Sequence, residues 1–178
     1  MSVSRVSAVL LILWLTAARS ALAQPPQPQP CSTAVPPNVD AGVFAPDVLA
    51  LLRVSDTFRS QCARIASDPR VRVRLAISCS VEGNSRAQTL FRRYRTGTLV
   101  ADVDILFGEN YRELLAHEFE HVIEQLDGVN LRHEAADGRA WEVEKGAFET
   151  RRAFLAGTQV LREAERMHAA PGAVLPLR

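Results

Sequence analysis

The order of residue patterns along the chain predicts an α+β fold, and three observations carry that expectation. Apolar residues recur three and four positions apart between Val48 and Ile65, as on one side of a helix. Apolar and charged residues alternate strictly from Arg70 to Ile77, as in a half-buried strand. Two further helical patterns follow a glycine-centred hairpin. The expected architecture is a small domain with an N-terminal helix, a three-stranded antiparallel or mixed sheet, a central helix and a long C-terminal helix.

Pro46 suits the first turn of the first helix. Its buried stripe is Val48, Leu51, Leu52, Phe58, Cys62 and Ile65, and Asp68-Pro69 lies beyond its end. In the strand that follows, Val71, Val73, Leu75 and Ile77 point inward and Arg70, Arg72 and Arg74 outward. The arginine row reads as a solvated face, not a binding stripe. Gln88 to Arg95 and Thr98 to Leu106 flank Thr96-Gly97 as a hairpin, with Asp102 and Asp104 on its polar side. Gly108 ends the hairpin. Asn110 is placed to cap the next helix, with Glu113 reaching back as in a capping box. That helix carries Leu114, Leu115, Phe119, Val122 and Leu126, and Asp127-Gly128 stops it. A polar loop, Val129 to Asp137, leads to a last helix from about Gly138 to Met167.

The ends read differently from the middle. Met1 to Arg5 is basic, Val6 to Ala18 is almost wholly apolar, and Ala21-Leu22-Ala23 offers small residues to a signal peptidase. That is a secretory signal over residues 1–23, too short in its apolar part to span a bilayer. Residues 24–44 form a proline-rich linker, residues 45–168 the domain, and residues 169–178 a tail. With 21 basic and 20 acidic side chains, the chain has no electrostatic case for nucleic acid or an anionic membrane surface. Export to the periplasm or beyond permits disulfides, and of Cys31, Cys62 and Cys79 the pair Cys62–Cys79 is the first choice.

Chemistry concentrates in His117-Glu118-Phe119-Glu120-His121. Two histidines four apart on a helix project from one face and reach one ion together. Zinc takes such nitrogen ligands and, in catalytic sites, keeps a position open for water. Glu118, next to the first ligand, is placed to act as general base on that water. Glu120 and Glu124 point off the metal face, where they set outer hydrogen bonds or nothing.

On this motif the chain resembles the zincin metallopeptidases over about Gln88 to Val160. The resemblance implies a zinc enzyme with His117 and His121 as ligands and Glu118 as base. It also implies that the strand Thr98 to Leu106 holds an extended peptide substrate by strand addition. Zincins divide by their third ligand. The metzincin pattern needs a glycine where this chain has Glu124; without it the helix continues and turns Asp127 by about 240° from His121. The gluzincin pattern needs a glutamate on a following helix. Glu149 lies on a stripe of small residues with Gly146, Ala153, Gly157, Val160 and Ala164, which lets a helix approach closely. The chain is also similar here to small exported bacterial proteins that follow the motif with Glu-Thr, then Ala, Gly and Val. Glu149 is therefore the favoured third ligand, with Glu144 and Asp127 as alternatives. His133, Tyr94 and Tyr111 are candidates for stabilising a developing oxyanion. The expected function is zinc-dependent hydrolysis of peptide bonds outside the cytoplasm; an exported, non-catalytic zinc-binding protein is the alternative.

Overall fold

The computed structural model describes residues 33–81, 85–144 and 147–169, so the expected signal segment, Cys31 and the tail from residue 170 lie outside the described residues. In chain order the elements are β1 (Val39–Asp40), a 3-10 turn (Gly42–Phe44), α1 (Ala45–Val54), α2 (Asp56–Ala66) and β2 (Val71–Ser78). They continue with β3 (Ala87–Arg93), β4 (Leu99–Leu106), α3 (Tyr111–Leu126), α4 (Leu131–Ala136), β5 (Ala140–Glu144), β6 (Ala147–Thr150) and α5 (Arg151–Ala169). The fold is α+β, as expected.

The main sheet has the order β1-β2-β4-β3, with β1-β2 and β2-β4 parallel and β3-β4 antiparallel. Alternation decides its two faces. Val71, Val73 and Leu75 enter the core, while Arg72 and Arg74 stay exposed. Asp102 pairs with Arg74 and Arg92 across the outer face, so the arginine row is indeed a solvated surface. Helices cover the inner face. Phe44, Val48, Leu51, Leu52, Phe58, Ile65, Leu115, Phe119 and Val122 bury there with Val103 and Ile105.

Several expectations are corrected. The single first helix breaks at Ser55, whose backbone is extended and whose hydroxyl accepts from Phe58 N–H at 3.0 Å as an N-cap. The Glu163 carboxylate, reaching over from α5, accepts from Ser55 Oγ at 2.5 Å and from Thr57 Oγ1 at 2.9 Å. The linker does not run to residue 44: Asn38, Val39, Ala41 and Phe44 are buried and begin the domain. Asn110 makes no side-chain cap, and Glu113 faces Arg86 instead of closing a capping box. The polar loop contains α4. The long last helix starts only at Arg151, because Ala140–Glu144 and Ala147–Thr150 pair as the antiparallel strands β5 and β6 after Gly138 turns the chain at φ +71°. β4 is interior, so it offers no free edge; the outer strand beside it is β3.

Candidate metal centre

The helix α3 is enclosed on nearly every side. Leu114, Leu115, Ala116, Phe119, Val122 and Ile123 pack into the core, and Phe119 stacks on Phe58 with ring centroids 5.3 Å apart. Its polar residues Glu118, Glu120, His121 and Glu124 are buried too. Buried polar groups need partners, and each of these has one. Glu120 accepts from Gln61 Nε2 at 2.7 Å and from Arg152 Nε at 2.5 Å. The helix α5 lies against the other side of α3 and approaches it closely at Gly157. A Cβ there would stand 2.9 Å from Glu113 O and 3.3 Å from His117 Cβ.

That crossing places the strand-to-helix junction of Glu149 and Thr150 over the histidines. His117 Nε2 stands 3.2 Å from His121 Nε2, and Glu149 Oε2 stands 2.8 Å from the former and 3.6 Å from the latter. Ligands bound tetrahedrally to one zinc ion at about 2.0–2.2 Å stand roughly 3.3–3.6 Å from each other. One edge reaches the upper end of that range and the other two fall 0.1 and 0.5 Å short of it, and two imidazoles with one carboxylate are a donor set that zinc accepts. The residues fit the metal.

Glu124 ties the two sides of the cluster together. Its Oε2 lies 2.9 Å from His121 Nδ1, and its Oε1 accepts from Thr150 Oγ1 at 2.6 Å. The carboxylate therefore favours the tautomer that carries the proton on Nδ1 and leaves Nε2 for the metal. Thr150 Oγ1 also accepts from Ala153 N–H at 2.9 Å, capping α5 immediately after Glu149. On the other flank, Thr89 Oγ1 of β3 donates to Glu118 Oε2 at 2.5 Å.

Without metal the cluster is strongly charged. Burial opposes a charge on His121, yet its hydrogen bonds to Glu124 and Glu149, and the nearby charge of Glu118, push it up to about 10. Burial likewise opposes ionisation of Glu149, but hydrogen bonds to His117 and His121 bring it down to about 2. A proton on His121 and a negative carboxylate on Glu149 occupy the positions that metal binding would use.

Of the expected residues, His117, His121 and Glu149 converge as two imidazoles and one carboxylate, and Glu118 lies beside them. Glu149 reaches the histidines from β6 and not from a helix. Asp127 does not join them: it pairs at 3.0 Å with both Arg64 and Arg152 beyond the end of α3. Glu144 ends β5, and its side chain lies outside the described residues. Tyr111 packs edge-on against Phe44 and accepts from Gly108 N–H. Tyr94 is exposed at the β3–β4 turn, five residues beyond Thr89 and so about 16 Å along the strand. His133 is exposed on α4. None of these three is held at the cluster. Cys62 and Cys79 are not joined; Cys62 is buried within α2, where burial pushes its thiol up to about 12, and Cys79 is exposed beyond β2.

Two positions without a sequence expectation, Thr89 and Thr150, support the site. Thr150 had a readable signal, a threonine just before a helix; Thr89 had none, since only the β3–α3 packing brings it to Glu118. Among the described residues no helix is long and apolar enough to cross a membrane. No protein-family model matches the chain, and no curated protein or solved structure matches it.

Proposed function

We propose that this chain is an exported zinc-dependent peptidase that hydrolyses peptide bonds. The observation that carries the reading is the triangle of His117 Nε2, His121 Nε2 and Glu149 Oε2, with edges of 3.2, 2.8 and 3.6 Å, beside the carboxylate of Glu118. When bound there, zinc supplies Lewis acidity, polarising the scissile carbonyl and bringing a coordinated water to a pKa of about 7.

The chain's own residues do the rest. His117, His121 and Glu149 would hold the ion. Glu118 takes the proton from the attacking water as its oxygen bonds to the carbonyl carbon. It then passes that proton to the amine nitrogen as the C–N bond breaks. Thr89 donates to one oxygen of Glu118 and leaves the other to work. Export rests on the basic, apolar and small-residue order of Met1 to Ala23.

One observation favours an exported zinc-binding protein without turnover: Glu118 is 3% exposed, deep for a base that must meet substrate. Metal analysis with peptide-library cleavage separates the two readings. The peptidase reading expects about one zinc per chain, cleavage by wild type, and a loss of about a hundred- to ten-thousandfold in Glu118→Gln with zinc retained. Zinc without cleavage supports the second reading. No bound metal rejects both.

A further inference from the structure

The β5–β6 hairpin brings a second side chain to the cluster. Trp141 of β5 pairs directly with Glu149 of β6 in antiparallel register. Directly opposed residues put their side chains on the same face, with Cβ atoms about 4.5–5.5 Å apart. Glu149 reaches His117 from that face, so the indole of Trp141 stands within one side-chain length of the metal ligands. The neighbouring pair on the opposite face, Ala140 and Thr150, is buried, whereas Trp141 is 46% exposed. A large aromatic surface left half open beside a catalytic cluster offers a substrate apolar area and one indole N–H donor.

We propose that Trp141 forms a wall of the substrate cleft and selects peptides with a bulky apolar side chain flanking the scissile bond. The inference rests on the peptidase reading and adds to it a substrate class. Contact with the indole face favours aromatic and long aliphatic side chains by burying their area; glycine or an acidic side chain at that position gains nothing from it. Discrimination of this kind is worth about ten- to two-hundredfold for one hydrophobic contact site.

The test digests a peptide library, randomised on both sides of the scissile bond, with zinc-loaded full chain carrying Trp141, Trp141→Ala or Trp141→Phe. Wild type is expected to select a bulky apolar residue at one flanking position. Trp141→Ala should lose ten- to hundredfold in kcat/KM on those peptides, keep its zinc affinity, and cleave glycine-bearing peptides as wild type does. Trp141→Phe should retain most of the preference. An unchanged preference in Trp141→Ala, or a uniform loss over all peptides, overturns the proposal.

A second measurement keeps this outcome apart from failure of the peptidase reading. The chain has two tryptophans, so in a Trp14→Phe background the emission is that of Trp141. Cobalt(II) bound at the histidines should quench it, and His117→Ala should abolish the quenching. Saturating cobalt without quenching places Trp141 away from the metal and overturns the inference, even if cleavage is found. Quenching with no cleavage of any peptide by wild type sinks the peptidase reading, and with it the substrate class.

Discussion

At the scale of single residues, Glu124 has an environment that only a carboxylate satisfies well. It is 2% exposed, and its two oxygens serve different elements: His121 on its own helix and Thr150 at the start of α5. Losing such an outer partner costs a metal site about 10–100-fold in affinity. Glu124→Ala is expected to weaken zinc binding by that factor. Thr150→Val, nearly isosteric, should weaken it by about tenfold and also cost about 1 kcal/mol through the lost cap of α5. Competition titration with a chromophoric chelator measures the first effect and thermal unfolding of the metal-free protein the second. If both variants lose stability while zinc affinity stays at the wild-type value, Glu124 is a packing residue and nothing more. The histidine spacing was legible from the sequence because His117 and His121 are local to one helix. Glu124 lies three residues beyond His121, the helical spacing for a side-chain pair, but its link to Thr150 depends on how α5 packs.

At the scale of elements, the approach of α5 to α3 decides whether Glu149 reaches the histidines. Gly157 is a point of close contact between them. At an open helix position, replacing glycine by alanine stabilises by about 1 kcal/mol. Here the added methyl would meet the Glu113 backbone oxygen at 2.9 Å, a contact that a backbone atom relieves only if one of the helices shifts. Overpacking of that kind costs about 1–3 kcal/mol, so the clash outweighs the propensity gain. Gly157→Ala is expected to lower thermal stability and, by moving α5 with the attached Glu149, to weaken zinc binding. A variant as stable as wild type, with unchanged zinc affinity, would show that the helices slide past the methyl freely. The small-residue stripe of Ala153, Gly157, Val160 and Ala164 was readable and belongs to α5. Extending it back through Glu149 placed that residue on a helix, whereas it lies on β6. Residues 140–150 carry alanines, glutamates and a lysine, which favour helix locally. Yet Ala140–Glu144 and Ala147–Thr150 pair as strands in which Ala140 and Thr150 bury, a tertiary reason that no local pattern contains. Ser55 misled in the opposite direction: the apolar stripe runs through it, yet its cap on Phe58 N–H starts a second helix there.

At the scale of the whole molecule, the cluster links folding, protons and metal. The ordinary value for a histidine is 6.5, and His121 is raised to about 10 in the fold. Its contribution to stability is therefore complete below pH 6.5 and is lost as pH rises towards 10. Glu149 is lowered from 4.5 to about 2, so its contribution is complete above pH 4.5 and is lost as pH falls towards 2. The metal-free protein should thus be most stable from this cluster between pH 4.5 and 6.5, and its melting temperature should fall from pH 6.5 to 9.5. Zinc bound at the cluster would reverse that trend. It must displace the proton from His121 Nε2, so its affinity should rise by up to about tenfold per pH unit over the range in which His121 is protonated. Zinc at a thousand times its dissociation constant adds about 4 kcal/mol to stability. Melting curves in chelator and in excess zinc, taken across pH 5.5 to 9.5, should therefore diverge as pH rises. Curves that stay parallel would mean that zinc displaces no proton here, and His121 would then not be a ligand in the way its hydrogen bond to Glu124 implies.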